Sequence, residues 1–100
     1  MTAFKDLKFE KKWYGVGAHH KFDNGITISV QAGEGIYSTP RENLKSPNSY
    51  SSFEVALWDE SGEWITQNFA KTDDVETDDV VVGWLTKKDI DAIMKAIQSK

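Results

Sequence analysis

Cysteine is absent from the 100-residue chain, and so are long apolar runs. Without cysteine the protein has no disulfide framework, no thiolate metal cluster and no cysteine nucleophile. The apolar runs span a few residues, whereas a membrane-spanning helix needs ~20. The opening stretch, MTAFKDLKFEKKW, carries scattered charges and lacks the apolar region of a signal peptide. We therefore expect a soluble cytoplasmic protein with no membrane partner.

The chain also lacks an excess of basic side chains. It has 12 Lys and Arg against 16 Asp and Glu, for a net charge of -4. A general nucleic-acid binder presents a basic face to the phosphates, so no direct nucleic-acid partner is expected. Aromatic residues, by contrast, make up 12% of the chain and include four tryptophans. This length and apolar content predict a single domain over residues 1–100.

The clearest hairpin lies between Tyr14 and Gly33. Apolar and polar residues alternate in the stretch ITISV, which is typical of a half-buried strand. A three-residue turn, DNG, with Gly25 in the left-handed region keeps the apolar side chains on one face. A two-residue turn would instead place Phe22 on the polar face. The preferred register pairs Phe22 with Ile26, His20 with Ile28 and Ala18 with Val30.

A second hairpin is predicted between Ser52 and Phe69, after a loop of about twenty residues that contains both prolines. The stretch FEVALW alternates, and the turn ESG again has glycine third. The register pairs Leu57 with Ile65 and Phe53 with Phe69 on one face, and Trp58 with Trp64 on the other.

The carboxy-terminal third begins with an acidic segment, residues 70–79, followed by a short buried strand over residues 80–85. Thr86 and Asp89 have the spacing of a helix capping box. The residues Ile90, Ile93, Met94 and Ile97 form one apolar stripe, and Asp91 and Lys95 are spaced as an i,i+4 ion pair. The first 13 residues fit either a short helical turn or an extended arm. The pattern predicts an α+β fold, an antiparallel sheet of four or five strands with one C-terminal helix packed on a face.

Sequence motifs for catalysis or metal binding are lacking. His19 and His20 point to opposite faces of a strand and cannot share a metal ion. Asp74, Glu76 and Asp78 match the first positions of a calcium loop, but Asp79 replaces the required glycine. The glycines form no phosphate loop, and no serine lies in a nucleophile elbow. We expect no catalytic residue, no metal and no cofactor, and hence no enzyme.

Two features are candidate partner-binding elements. The pair Trp58 and Trp64 is either a stabilising cross-strand pair or an exposed anchor of the kind enriched at interfaces. The acidic segment is either a solvated loop or a patch that faces a basic partner. The candidate partner-binding residues are Trp58, Trp64, Asp73, Asp74, Glu76, Asp78 and Asp79.

Three stretches resemble a group of small accessory proteins of tailed bacteriophages: HKFDNG followed by ISV, FEVAL, and VGWLTKKDI. The similarity runs in the same order over residues 6–97. It departs from the group at Ile26 and in the longer loop over residues 40–49. The resemblance implies a phage origin and an accessory role in the infected cell, and it carries over no catalytic residue.

Taken with the residues above, this resemblance favours a non-enzymatic protein of the host cytoplasm that binds and modulates a host protein with a basic surface. The protein is expected to be a monomer or small homo-oligomer. An alternative is a small-ligand binder that sequesters a nucleotide-like signal, with Arg41, Lys45, Trp58 and Trp64 as its candidate contacts.

Overall fold

The computed structural model describes residues 2–69 and 81–99. Within them, five strands form one antiparallel sheet in which neighbouring strands are also consecutive in sequence. A C-terminal helix packs on one face, so the predicted α+β class is confirmed. The strands are β1 (Glu10–Lys12), β2 (Gly15–Lys21), β3 (Thr27–Gly33), β4 (Phe53–Trp58) and β5 (Val81–Leu85), and the α-helices are α1 (Thr66–Phe69) and α2 (Lys87–Gln98).

Helix α2 has the predicted cap and the predicted apolar stripe. The hydroxyl of Thr86 accepts a hydrogen bond from the Asp89 N–H at 3.1 Å, and the Asp89 carboxylate accepts one from the Thr86 N–H at 2.9 Å. The stripe contributes to the core with the inward side chains of β2, β3 and β4. Asp91, expected to pair with Lys95, instead accepts a hydrogen bond from the Phe4 N–H at 2.7 Å. The buried stripe residues are Ile90, Ile93, Met94 and Ile97.

The first hairpin has the predicted register. Gly25 has a φ of 88°, and its N–H donates to the Phe22 carbonyl at 2.9 Å. The Phe22 N–H in turn donates to the Ile26 carbonyl at 2.8 Å, which closes the three-residue turn. Because this register places every apolar side chain on one face, the other face is left to polar and small residues. The strands pair His20 with Ile28 and Ala18 with Val30.

The second hairpin is confirmed near its turn and wrong beyond it. Trp58 pairs with Trp64, and Gly62 has a φ of 87°. The chain then turns into α1 because the buried Thr66 hydroxyl accepts the Leu57 N–H at 2.9 Å in place of a backbone carbonyl. The predicted pairing of Phe53 with Phe69 is therefore wrong. Phe53 pairs with Leu85 of β5.

The long loop between β3 and β4 is tied to the core by buried side chains. Tyr50 is 3% exposed, and its hydroxyl accepts the Leu44 N–H at 2.8 Å. The buried Ser38 hydroxyl accepts the Gly33 N–H at 3.1 Å. A bridge between Thr39 and Ser52 brings the loop back to the start of β4.

The amino-terminal segment adopts both conformations that its sequence left open, one after the other. A 3-10 helix over Phe4–Asp6 buries Phe4, whose ring centroid lies 5.1 Å from that of Phe53. The chain then extends and pairs β1 with β2 at the edge of the sheet. No helix within residues 2–69 and 81–99 is long and apolar enough to span a membrane.

Candidate binding face of the sheet

The face of the sheet opposite α2, here called the polar face, is built from two rows of paired residues. In one row Gln31 pairs with Gly17 on one side and with Glu54 on the other. In the next row Ser29 pairs with His19 on one side and with Ala56 on the other. Ser29 and Ala56 have small side chains, so the surface of the polar face is low at this row. These side chains alternate with core residues along each strand and therefore point away from α2.

Two glycines of the polar face each pack against a tyrosine side chain, Gly17 against Tyr14 and Gly83 against Tyr37. A Cβ built on Gly17 would lie 3.0 Å from the Tyr14 hydroxyl, and one built on Gly83 would lie 2.4 Å from the Tyr37 Cβ. Glycine is needed at Gly83 because a side chain would occupy the space that Tyr37 fills. The Trp84 N–H also donates to the Tyr37 carbonyl at 2.9 Å, so the loop is fixed against β5.

A chain of hydrogen bonds runs across the centre of the polar face. The Tyr14 hydroxyl donates to Gln31 Oε1 at 2.7 Å, and Gln31 Nε2 donates to the Ser29 hydroxyl at 3.0 Å. Burial raises the pKa of Tyr14 above its ordinary value, the positive charge of Lys12 opposes this rise, and the negative charge of Glu54 adds to it. The phenol is therefore protonated near neutral pH and acts as the donor in this chain.

Trp58 and Trp64 form an edge-to-face pair at one end of the polar face. Their ring centroids are 5.3 Å apart and their planes meet at 75°. Trp58 is half-buried and also contacts the His19 ring, at a centroid distance of 5.7 Å. Trp64 is 49% exposed. The pair is thus a cross-strand contact of which one ring still faces solvent.

A groove of about 290 Å³ lies beside this pair, here called the tryptophan groove. Glu54, the one carboxylate among its described lining residues, is half-buried, and Glu54 Oε2 accepts the Tyr37 N–H at 2.9 Å. Among the described residues no cationic group lies within 4.0 Å of the Glu54 carboxylate. The lining residues are His19, Ser29, Gln31, Glu54, Ala56, Trp58, Trp64 and Val81.

A second groove, of about 460 Å³, adjoins the first, shares His19 and Gln31 with it, and is here called the lysine groove. Trp13 at its rim is 85% exposed and meets the Tyr14 ring edge-on at 5.4 Å. Lys12 forms an ion pair with Glu10 at 3.2 Å. Sequence analysis missed this site, although the stretch KKWY places two lysines beside two aromatic rings. The lining residues are Lys8, Glu10, Lys12, Trp13, Tyr14, Gly17, Ala18, His19 and Gln31.

The structure brings together some of the predicted site residues and not others. Trp58 and Trp64 share the tryptophan groove, whereas Asp73, Asp74, Glu76, Asp78 and Asp79 lie outside the described residues. Arg41 and Lys45 line neither groove. The Arg41 guanidinium instead lies 5.3 Å from the centroid of the Tyr37 ring. The structure therefore does not bring these two cations into the groove with the tryptophans.

No group of three or more His, Cys, Asp or Glu side chains able to hold a metal ion occurs in residues 2–69 and 81–99. Comparison with known proteins adds no relative, since no family model, curated protein or solved structure matches the chain. The polar face itself is therefore the basis on which a function is inferred.

Proposed function

We propose that this chain is a phage-encoded, non-enzymatic accessory protein that binds and modulates a host protein through the tryptophan groove. The observation that carries the proposal is the 49% exposure of Trp64, an indole held on a structured hairpin. An exposed tryptophan of this kind is the side chain most enriched in interface hot spots. Its contact with Trp58 holds the ring in place, so that little side-chain entropy is lost on binding.

The charges near the groove favour a partner with a basic surface. Glu54 supplies a carboxylate inside the groove, and Val81 on its wall lies two positions after the acidic segment in the chain. A net charge of -4 strengthens the attraction between this protein and a basic patch over distance. The bacteriophage resemblance supports a target in the host cytoplasm, and the bound form is proposed to be a monomer or small homo-oligomer.

A pull-down from bacterial lysate tests the proposal with a matched pair of variants. Trp64→Ala removes the proposed anchor, and Trp13→Ala removes a more exposed indole that lines the lysine groove and not the tryptophan groove. We expect the wild type and Trp13→Ala to capture the same host protein, and Trp64→Ala to lose it. Capture that is equal in both variants, or no capture by the wild type, contradicts the proposal.

The lysine groove favours a second candidate function, the sequestration of a nucleotide-like signal. Trp13 and Tyr14 offer ring surfaces on which a base can stack, and Lys8 and Lys12 offer charges for a phosphate. A thermal-shift screen against nucleotides tests this candidate. Stabilisation by a nucleotide that Trp13→Ala abolishes and Trp64→Ala leaves unchanged would support it, and no stabilisation by any nucleotide would remove it.

A further inference from the structure

The carboxylate of Glu54 lies in the tryptophan groove, and no cationic group of the described residues lies within 4.0 Å of it. We infer that the tryptophan groove receives an arginine side chain of the partner protein. This inference rests on the proposed function, because it names the chemistry by which that partner is recognised. Three observations carry it: the position of Glu54, the shape of the groove, and the aromatic walls.

The carboxylate of Glu54 is held in place by the loop that contains Tyr37. Glu54 Oε2 accepts the Tyr37 N–H at 2.9 Å, and Tyr37 is itself fixed against Gly83. Among the described residues no group donates to Glu54 Oε1, which is therefore available to a donor from the partner. A half-buried carboxylate without a cation within 4.0 Å among the described residues gains most from a partner that supplies one.

The groove has the form of a slot for a long side chain with a charged end. Ser29 and Ala56 make its floor low, and Trp58 and Trp64 form its wall. The methylene groups of an arginine can lie along this floor while the charged end reaches Glu54. A volume of about 290 Å³ suits one side chain better than a folded element.

Arginine fits this groove better than lysine. The guanidinium is planar, stacks on indole rings and donates two parallel hydrogen bonds to a carboxylate. An ammonium group is more strongly hydrated and offers no flat face to Trp58 or Trp64. The acidic segment, which precedes Val81 in the chain, adds attraction for the same charge.

The test uses the 100-residue protein and three blocked tripeptides, in which arginine, citrulline or lysine stands between two glycines. Citrulline matches arginine in shape but is uncharged. The indole N–H signals of the four tryptophans, followed by NMR, locate the site. We expect the arginine peptide to shift the Trp58 and Trp64 signals and the citrulline peptide to bind about tenfold or more weakly. Equal affinity for the two peptides, or shifts confined to Trp13, would overturn the inference.

Two charge variants complete the test. Glu54→Gln keeps the shape and the acceptor of the side chain, whereas Glu34→Gln removes an exposed carboxylate of the loop. We expect Glu54→Gln to weaken binding of the arginine peptide about tenfold or more, and Glu34→Gln to leave it unchanged. Unchanged indole signals in the unbound variants show that the fold is intact. Equal binding by Glu54→Gln and the wild type would overturn the inference.

Failure of this inference is distinguishable from failure of the proposed function. The peptide experiments measure recognition of a guanidinium, whereas the pull-down measures capture of a host protein that depends on Trp64. A host protein that Glu54→Gln captures as well as the wild type, and that Trp64→Ala loses, would refute the arginine site. The same result would leave the proposed function standing.

Discussion

Tyr37 packs directly on Gly83, where an added Cβ would lie 2.4 Å from the Tyr37 Cβ. The two residues stand 46 positions apart in the chain, yet this contact fixes the loop over the end of β5. The same contact positions the Tyr37 N–H that holds Glu54. The stability of the loop and the geometry of the tryptophan groove therefore both depend on residue 83 being glycine.

The first prediction concerns this contact. Gly83→Ala forces Tyr37 away from β5 and is expected to lower the free energy of unfolding by about 1–3 kcal/mol, as overpacking does. Gly17→Ala is the matched control, because the nearest atoms to its Cβ all belong to side chains, the closest being the Tyr14 hydroxyl at 3.0 Å. Urea unfolding measures both. A smaller loss for Gly83→Ala than for Gly17→Ala would contradict the packing seen here.

The hairpins show how far local sequence patterns determine this fold. Alternating apolar residues and a glycine at the third turn position predict both turns and the register next to them. The predicted register of the second hairpin is wrong from Thr66 onward. There the hydroxyl of Thr66, nine residues from Leu57, accepts the Leu57 N–H in place of a backbone carbonyl. No local rule predicts such a bond, because its geometry is set by the packing of α1 against β4.

The candidate site was predicted only in part for the same reason. The pairing of Trp58 with Trp64 follows from the turn between them. Glu54, by contrast, becomes a site residue through its bond to Tyr37, 17 positions away, and Tyr14 through its bond to Gln31, also 17 positions away. Contacts at this separation depend on the completed sheet. The stretch KKWY was the available local signal for the lysine groove.

The second prediction concerns the turn of the second hairpin. Gly62 has a φ of 87° and nothing within 4 Å of a built Cβ, so backbone strain alone opposes a side chain there. Gly62→Ala is expected to destabilise the protein by about 1 kcal/mol. Gly62→Asn is the control, since asparagine tolerates the left-handed region and should lose less. Thermal unfolding measures the stability of both variants. A lower melting temperature for Gly62→Asn than for Gly62→Ala would contradict this prediction.

The third prediction concerns pH and the same turn. Hydrogen bonds from the Ser61 hydroxyl and from the backbone N–H of Glu63 hold the pKa of Asp59 below its ordinary value. A lowered folded-state pKa gives stability that is present above the ordinary carboxyl pKa and is lost as the pH falls through the lowered one. The free energy of unfolding should therefore decrease in acid, and it should decrease less steeply for Asp59→Asn than for the wild type. Parallel acid-unfolding curves for the two proteins would contradict this.

The last prediction concerns the kinetics of binding to the host protein. The acidic segment places Asp73, Asp74, Glu76, Asp78 and Asp79 within seven consecutive positions. Like charges at this spacing repel one another, and a basic partner relieves the repulsion and attracts the segment over distance. Association should therefore slow as the salt concentration rises. Replacing the four aspartates with asparagine should lower the on-rate and leave thermal stability unchanged or raised.

Trp64→Ala separates this long-range effect from close contact. Loss of a packed anchor residue makes the complex dissociate faster. This variant should therefore raise the off-rate and leave the salt dependence of the on-rate unchanged. Surface plasmon resonance against the captured host protein measures both rates. An on-rate that is independent of salt and unaffected by the four asparagine substitutions would remove the acidic segment from the interface. Binding would then rest on the tryptophan groove alone, and the acidic segment would be a solvated part of the chain.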